Sequence, residues 1–378
     1  MRKDNQSTFI VVILIFAMIF SLLTIYAFGE KRKSDFPISA KSAALYIPET
    51  KEFIYSKNSD IRLPMASTTK IMTALIAIET CDMGDIIEID EYSVGIEGSS
   101  AYLKVGDILT MEELVYALLL QSANDAAVAI AEHIGGDIEG FADIMNEKAS
   151  QMGLCNTHFT NPHGLDNDQH YTTAKDLAVI ASVALSNEDF LKIVSTKKRT
   201  FSTEERVRTY VNHNKLLSSY DGCVGVKTGY TKRCGRCLVS AAMRDGLLLV
   251  SVTLDAPSDW QDHKKMLDFG FDNYEKISFT QPMGELYNIS VLGGEESHLT
   301  VLNTEGASLV IKKGNHIIES HPKLMRFATA PISQGEIMGE VIYTIDGKEA
   351  ARIELVATKD IKAKKEKGFF NKILSFFK

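Results

Sequence analysis

Gly225-Val-Lys-Thr-Gly-Tyr-Thr-Lys-Arg-Cys-Gly-Arg-Cys-Leu-Val-Ser-Ala-Ala-Met-Arg-Asp-Gly-Leu-Leu-Leu-Val-Ser-Val-Thr-Leu254 holds three apolar runs, Gly225 to Thr231, Cys237 to Met243 and Leu247 to Leu254, joined by Gly-containing turns. Short runs with connections this tight pair with their neighbours as an antiparallel meander. Upstream, Ala43-Ala-Leu-Tyr-Ile47 and Phe53-Ile-Tyr55 flank a Pro-Glu-Thr-Lys turn and read as a further hairpin. Between hairpin and meander the period changes. Thr68 to Thr80, Met111 to Leu120, Asp125 to His133, Ile138 to Met152 and Thr173 to Leu185 carry apolar residues at three- and four-residue spacing, which predicts helices. Gly135-Gly136 and Gly153 stand where helices stop, and Thr173 with Asp176 makes a capping-box pattern where one starts. A last helix is expected from Ser258 to about Phe271, packed by the single Trp260. Residues 36–273 are thus expected to form an α+β domain, an antiparallel sheet with helices.

After Tyr274 the pattern turns to short strands separated by Gly, Asn and Pro, so residues 280–360 are expected to form a small all-β domain. Its clearest element is Val341-Ile-Tyr-Thr-Ile345 and Ala351-Arg-Ile-Glu-Leu355 around an Asp346-Gly347 hairpin turn. The two ends differ from the body. Arg2 and Lys3 precede an uncharged, almost wholly apolar run from Phe9 to Gly29, and residues 1–29 read as an export signal. Ala27-Phe-Gly29 offers a small-x-small cleavage site, and the run is also long enough for a retained anchor. The segment 361–378 reads as a basic amphipathic tail. From Lys359 to Lys378 there are seven Lys against one Asp and one Glu. At a helical period Phe369, Phe370, Ile373, Leu374, Phe376 and Phe377 fall on one side, which suits an anionic membrane surface.

The whole chain of 378 residues has a formal net charge of −8, which argues against binding nucleic acid. Five cysteines are too few and too scattered for a disulfide framework. Cys234-Gly-Arg-Cys237 has no second pair to complete a zinc set. A reversible Cys234–Cys237 disulfide and two packed thiols remain alternative readings. His158, His163 and His170 with Asp166 and Asp168 lack the helical spacing that points two imidazoles together, so capping and loop hydrogen bonds are their expected role. No metal and no cofactor is expected.

The chemistry lies in Ser67-Thr-Thr-Lys70, Ser122-Ala-Asn124 and Lys227-Thr-Gly229, in that order. Ser67 at the mouth of a helix and Lys70 one turn later share a face, so the amine reaches the hydroxyl. A serine hydroxyl needs a base, and a lysine serves only when burial or another cation depresses its pKa. Lys227 is a candidate for that cation. Ser122, in the break between two helices, is placed to relay a proton to a leaving amine, and Asn124 to hold Lys70 or a substrate backbone. The strand through Lys227, Thr228 and Gly229 offers an edge to an extended peptide. On it Lys227 and Thr228 would meet a terminal carboxylate, with Gly229 leaving room for close approach.

These motifs sit in longer stretches: Pro64-Met-Ala-Ser-Thr-Thr-Lys-Ile-Met-Thr-Ala-Leu75, Ser122-Ala-Asn-Asp-Ala-Ala127, Thr160-Asn-Pro-His-Gly-Leu165, His170-Tyr-Thr-Thr-Ala-Lys-Asp176 and Gly225-Val-Lys-Thr-Gly-Tyr-Thr231. On them the chain resembles the low-molecular-mass penicillin-binding proteins, D-alanyl-D-alanine carboxypeptidases of serine peptidase family S11. The resemblance implies a fold shared with serine β-lactamases, an acyl-enzyme on Ser67, Lys70 as proton acceptor, Ser122 as a second hydroxyl and Lys227 as carboxylate binder. It also implies an oxyanion hole from the backbone amides of Ser67 and Tyr230. The substrate it implies is the peptidoglycan pentapeptide stem, with β-lactams as covalent inhibitors, at the extracytoplasmic face of a bacterial membrane. Cys234 stands where the family more often has a small residue. A β-lactamase of this fold would need a Glu acting through water, and no E-x-x-L-N segment lies between the second and third motifs. A catalytically silent wall-binding protein is the rival outside enzymes, and the intact Ser67, Lys70, Ser122 and Lys227 argue against it.

Overall fold

The structure, a computed structural model, describes residues 36–202 and 206–365. The expected export signal and most of the expected amphipathic tail lie outside the described residues. Among those described, no helix is long and apolar enough to cross a membrane.

The first domain opens with β1 (Ser42–Ile47) and β2 (Glu52–Lys57), followed by a 3-10 turn (Ala66–Thr69) that runs directly into α1 (Lys70–Thr80). Then come β3 (Ile86–Glu88), β4 (Ile108–Thr110), α2 (Met111–Leu120), α3 (Asn124–Gly135), α4 (Ile138–Gln151), α5 (Ala174–Leu185) and α6 (Glu188–Ser195). A hairpin of β5 (Lys198–Ser202) and β6 (Val207–Val211) and a single turn, α7 (Leu216–Ser219), lead to β7 (Cys223–Thr231), β8 (Gly235–Arg244) and β9 (Leu247–Leu254), and α8 (Asp259–Asn273) closes the domain. The expected meander is present, and its last strand joins the N-terminal hairpin in one antiparallel sheet of order β2-β1-β9-β8-β7.

That sheet is covered on both sides, which is why β1 is buried at every position and β9 at nearly every one. Ala44, Tyr46, Val250 and Val252 face the large cluster built by α1 to α6. The other face meets α8. A side chain added at Gly270 would strike Leu249 and Leu45, and Thr253 hydrogen-bonds His263 of α8 at 3.0 Å. Polar caps set the helix starts: Thr110 for α2, Asp137 for α4, Thr173 for α5 and Asn187 for α6 each accept from an amide of the first turn. The expected capping box at Thr173 is only half made. Thr173 accepts from Asp176 N, but the Asp176 carboxylate turns away to accept from Asn156 N and Thr157 Oγ1.

Strands begin again at Tyr274. β10 (Tyr274–Thr280) pairs with β13 (Ala307–Lys312), while β11 (Leu286–Leu292), β12 (His298–Leu302), β14 (Ile318–Leu324), β15 (Phe327–Thr329), β16 (Ile337–Ile345) and β17 (Lys348–Ala357) make a six-stranded sheet. Its core is Ile289, Val291, Leu299, Val301, Met338, Val341, Tyr343 and Leu355 with their neighbours. The β16–β17 turn has φ of 51° at Asp346 and 75° at Gly347, the primed geometry whose twist matches a hairpin. Ile361 is buried against Ile332, and Lys362 O and Lys364 N bond Glu295 N and Gly293 O, so the chain is tied to this sheet through residue 364.

Candidate functional site

Ser67 stands in the second position of the 3-10 turn, after Ala66 at φ 48°. The turn is held from outside. The Ala66 carbonyl packs so close to Gly164, itself at φ 87°, that a Cβ at Gly164 would lie 1.9 Å from Ala66 O. The Thr69 hydroxyl donates to Ala66 O at 2.8 Å and meets His170 Nε2 at 2.7 Å. Because His170 Nδ1 accepts from Thr160 N at 3.0 Å, Nε2 carries the proton and donates to Thr69. Burial lowers the His170 pKa to about 4, which keeps the ring in that neutral form.

Lys70, one turn on, is fully buried. Its Nζ donates to Ser67 Oγ at 3.1 Å, Asn124 Oδ1 at 2.7 Å and the backbone carbonyl of His163 at 2.6 Å. Burial first, and the Lys227 charge second, press its pKa well below the ordinary lysine value, while Asp125 pulls the other way. A lysine lowered in this way gives up its proton more readily than an ordinary one, which is what a base for the Ser67 hydroxyl requires. Asn124 therefore holds Lys70, one of the two roles open from sequence. Its position is fixed in turn by its backbone N–H donating to Ser99 O and by its side-chain NH2 donating to Glu97 O.

Ser122 lies in the break between α2 and α3 at φ 63°, a left-handed conformation rare outside glycine. It faces Lys227, whose Nζ donates to Ser122 Oγ at 3.0 Å and to Thr228 O at 2.9 Å. Burial lowers the Lys227 pKa to about 7. Just before it, Gly225 and Val226 have φ of 98° and 101° around a bulge in β7, and for a β-branched residue that is strain. Asn214 braces the bulge by donating to Gly225 O at 2.9 Å. Beyond Lys227, β7 lies against the serine turn: a Cβ on Gly229 would come 3.1 Å from Ser67 N. β7 is the end strand of its sheet, which leaves its outer edge without a strand partner among the described residues.

Ser67, Ser122, Thr228, Gly229 and Tyr230 line a cleft of about 350 Å³ that is shared with Ser99, His213, Lys215, Arg236, Asp259 and Trp260. All eight sequence-predicted site residues are thus at one place, with Lys70 and Asn124 directly beneath the serine. Several of the cleft's other members were not expected. Trp260 is on α8 as anticipated, but its ring lines the cleft beneath the Arg236 guanidinium, 5.8 Å away, instead of serving only to pack the helix. Arg236 pairs with the buried Asp259 at 3.0 Å. It stands across from Tyr230 in the β7–β8 ladder, a pairing visible only once the register is known.

The histidine-rich segment makes loop hydrogen bonds, as expected, and these serve the site. The His163 carbonyl holds Lys70, and Asn161 Oδ1 accepts from Gly164 N at 2.7 Å. Cys234 and Cys237 are buried free thiols. Cys234 donates to Asp166 Oδ1 at 3.3 Å, and burial raises the two pKa values to about 11 and about 12, so neither is a reactive thiolate at neutral pH.

Residues 29–258 match the sequence family described as D-alanyl-D-alanine carboxypeptidase, and residues 274–363 match the one described as penicillin-binding protein 5, C-terminal domain. The chain is 33% identical to the D-alanyl-D-alanine carboxypeptidase DacF of Bacillus subtilis, over 88% of both chains. It is 30% identical to DacA of Haemophilus influenzae, over 89% of this chain and 88% of that protein. Among solved structures it resembles penicillin binding protein 5 from Haemophilus influenzae, with a TM-score of 0.64 and 28% identity over 87% of this chain and 99% of that one. The Streptomyces K15 DD-transpeptidase is similar over 63% of this chain and 99% of its own, with a TM-score of 0.60 and 35% identity.

Proposed function

We propose a reaction from the premise that the chain belongs to the D-alanyl-D-alanine carboxypeptidase family, the penicillin-binding serine peptidases. It is a serine-type D-Ala-D-Ala carboxypeptidase, and its substrate is the pentapeptide stem of peptidoglycan. The stem's last residues lie extended along the outer edge of β7, with the terminal carboxylate toward Lys227 and Thr228. Lys70 takes the Ser67 proton as Ser67 Oγ attacks the carbonyl of the penultimate D-Ala. The backbone amides of Ser67 and Tyr230 receive the oxyanion. Ser122, between the two lysines, passes a proton to the amine of the departing D-Ala, and water then releases the acyl chain from Ser67. A β-lactam enters the same way, but its leaving amine stays tethered to the acyl group, so the adduct persists.

The observation that carries this reading is the Lys70 amine, fully buried, 3.1 Å from Ser67 Oγ. The test is labelling with fluorescent penicillin beside an assay for D-Ala release from a pentapeptide. Ser67→Ala abolishes both while the circular dichroism spectrum stays native. A folded Ser67→Ala protein that still forms a covalent penicilloyl adduct places the nucleophile elsewhere. We further propose that the protein works at the extracytoplasmic face of the cell membrane. The apolar N-terminal run supports export, and the basic, Phe-rich C-terminal segment supports surface attachment.

A further inference from the structure

Away from the catalytic cleft, three donors of different chemistry converge where α1 and α3 end. Cys81 is the C-cap of α1, Asp85 closes the turn that follows, and His133 lies in the last turn of α3. The thiol sulfur, a carboxylate oxygen and an imidazole nitrogen all lie within 4.8 Å of one another, and no other such group occurs among the described residues. Donors around a tetrahedral zinc ion, with bonds of about 2.0–2.3 Å, are roughly 3.3–3.8 Å apart, so modest side-chain rotation closes the set. The Asp85 carboxylate is already oriented, because Asp82 N donates to its Oδ2 at 3.0 Å and leaves the other oxygen free to ligate.

We propose that Cys81, Asp85 and His133 bind one divalent transition ion of the zinc type, with water completing a tetrahedron. The donor set decides the class: one thiolate and one imidazole beside a single carboxylate favour zinc, cobalt or nickel over magnesium and calcium, which want an all-oxygen shell. None of the three residues is buried, so the ion enters from solvent. Coordination sends the Cys81 thiol proton to solvent and changes no oxidation state. The bound ion joins the C-terminal ends of the two helices whose first residues are Lys70 and Asn124, the pair whose contact holds the base in place. The site takes no part in the reaction itself and does not depend on the assignment of the catalytic residues. Its members were not legible as a set in the sequence because His133 is brought to the others only by the packing of α3 on α1.

The test is a Co²⁺ titration of the full chain, reduced and freed of metal with a chelator. The expected result is a 1:1 complex with a thiolate-to-cobalt charge-transfer band and the strong visible absorption of tetrahedral cobalt, both discharged by Zn²⁺. Zn²⁺ alone should also raise the melting temperature. Cys81→Ser removes the charge-transfer band, and His133→Ala weakens binding at least tenfold. Cys155→Ser, at an exposed cysteine on the surface, changes neither. Retained penicillin labelling shows that each variant is folded. A titration without a 1:1 complex, or a Cys81→Ser protein whose band is unchanged, overturns the site.

Discussion

In the proposed mechanism Lys70 and Lys227 carry the pH dependence between them, with opposite signs. Lys70 must be neutral to accept the Ser67 proton, and its lowered pKa raises the share of that form over an ordinary lysine's. Acidification protonates it, so acylation falls as pH drops. Lys227 must be charged to meet a carboxylate, and burial brings its pKa to about 7 in the free enzyme. Above that pH the ammonium is lost, so kcat/KM for a substrate with a free C-terminus falls on the alkaline side. In kcat the limb moves to higher pH, because the bound carboxylate stabilises the ammonium. A substrate amidated at its C-terminus has no charge for Lys227 to meet and shows the acid limb alone. Stopped-flow acylation rates across pH for both substrates check this, and identical profiles would remove Lys227 from carboxylate binding. The glycine beneath the nucleophile gives a second prediction. Gly164→Ala adds a Cβ onto Ala66 O at a positive φ, costing about 2–4 kcal/mol in strain and overpacking. It should also slow acylation by more than tenfold, because relief moves the turn that aims Ser67. A variant with native acylation kinetics would show that the turn tolerates the displacement. The side chains proposed as catalytic were legible as motifs, whereas the His163 carbonyl that holds Lys70 was not, since a backbone oxygen has no sequence signature.

Elements with a strong period were legible, and those whose character comes from their neighbours were not. The expected helix from Thr68 begins as a 3-10 turn and becomes α-helical at Lys70, because Ala66 is held at positive φ by a segment a hundred residues away. α6 is eight residues long and was not read from the sequence, although Phe190, Ile193 and Val194 bury one face at helical spacing and Asn187 caps a first turn that holds Glu188 and Asp189. The β5–β6 ribbon is mostly exposed and so lacks the alternation that marks a half-buried strand. α8 was expected as a helix, yet its fixing contact was hidden. Asp262 accepts from Ser39 N at 2.9 Å, Ser39 Oγ at 2.7 Å and Ala40 N at 3.0 Å. One carboxylate thus ties the start of the domain to its last helix. Asp262→Ala leaves the buried Ala40 N–H without its acceptor and gives the Ser39 donors to water, and should destabilise the domain by about 1–3 kcal/mol. Urea denaturation would measure the loss. A change below about 0.5 kcal/mol would mean that water replaces the carboxylate without penalty.

At the scale of the whole molecule, acid sensitivity and the proposed membrane attachment rest on groups far apart in the chain. Burial lowers the pKa of His163 and His263 to about 3 and of His170 to about 4, while the unfolded chain titrates near 6.5. The unfolded state therefore binds more protons below pH 6.5, and stability present above that value is lost as pH falls toward 4. The slope reaches up to about 4 kcal/mol per pH unit if all three contribute. Melting temperature against pH tests this, and His263→Gln should flatten the slope by about one proton. The proposed attachment assigns membrane contact to the C-terminal segment, and the structure sets where to cut. Ile361 is buried, and residues 362–364 hydrogen-bond the strand connection at Gly293 to Glu295, so removing them would disturb the β domain as well as the tail. Ending the chain after Lys365 spares those contacts while deleting the Phe-rich stretch and three lysines, Lys367, Lys372 and Lys378. Each lysine adds about 1 kcal/mol of attraction to an anionic surface, and the phenylalanines add apolar burial at the interface. The shortened protein, also lacking residues 1–29, should label with penicillin at the native rate yet no longer sediment with anionic vesicles. High salt should weaken binding of the intact mature protein without abolishing it, because the Phe contribution is unscreened. Sedimentation that survives the truncation would place the membrane contact elsewhere, with the β domain's exposed Leu292, Met325 and Phe327 as the next face to substitute.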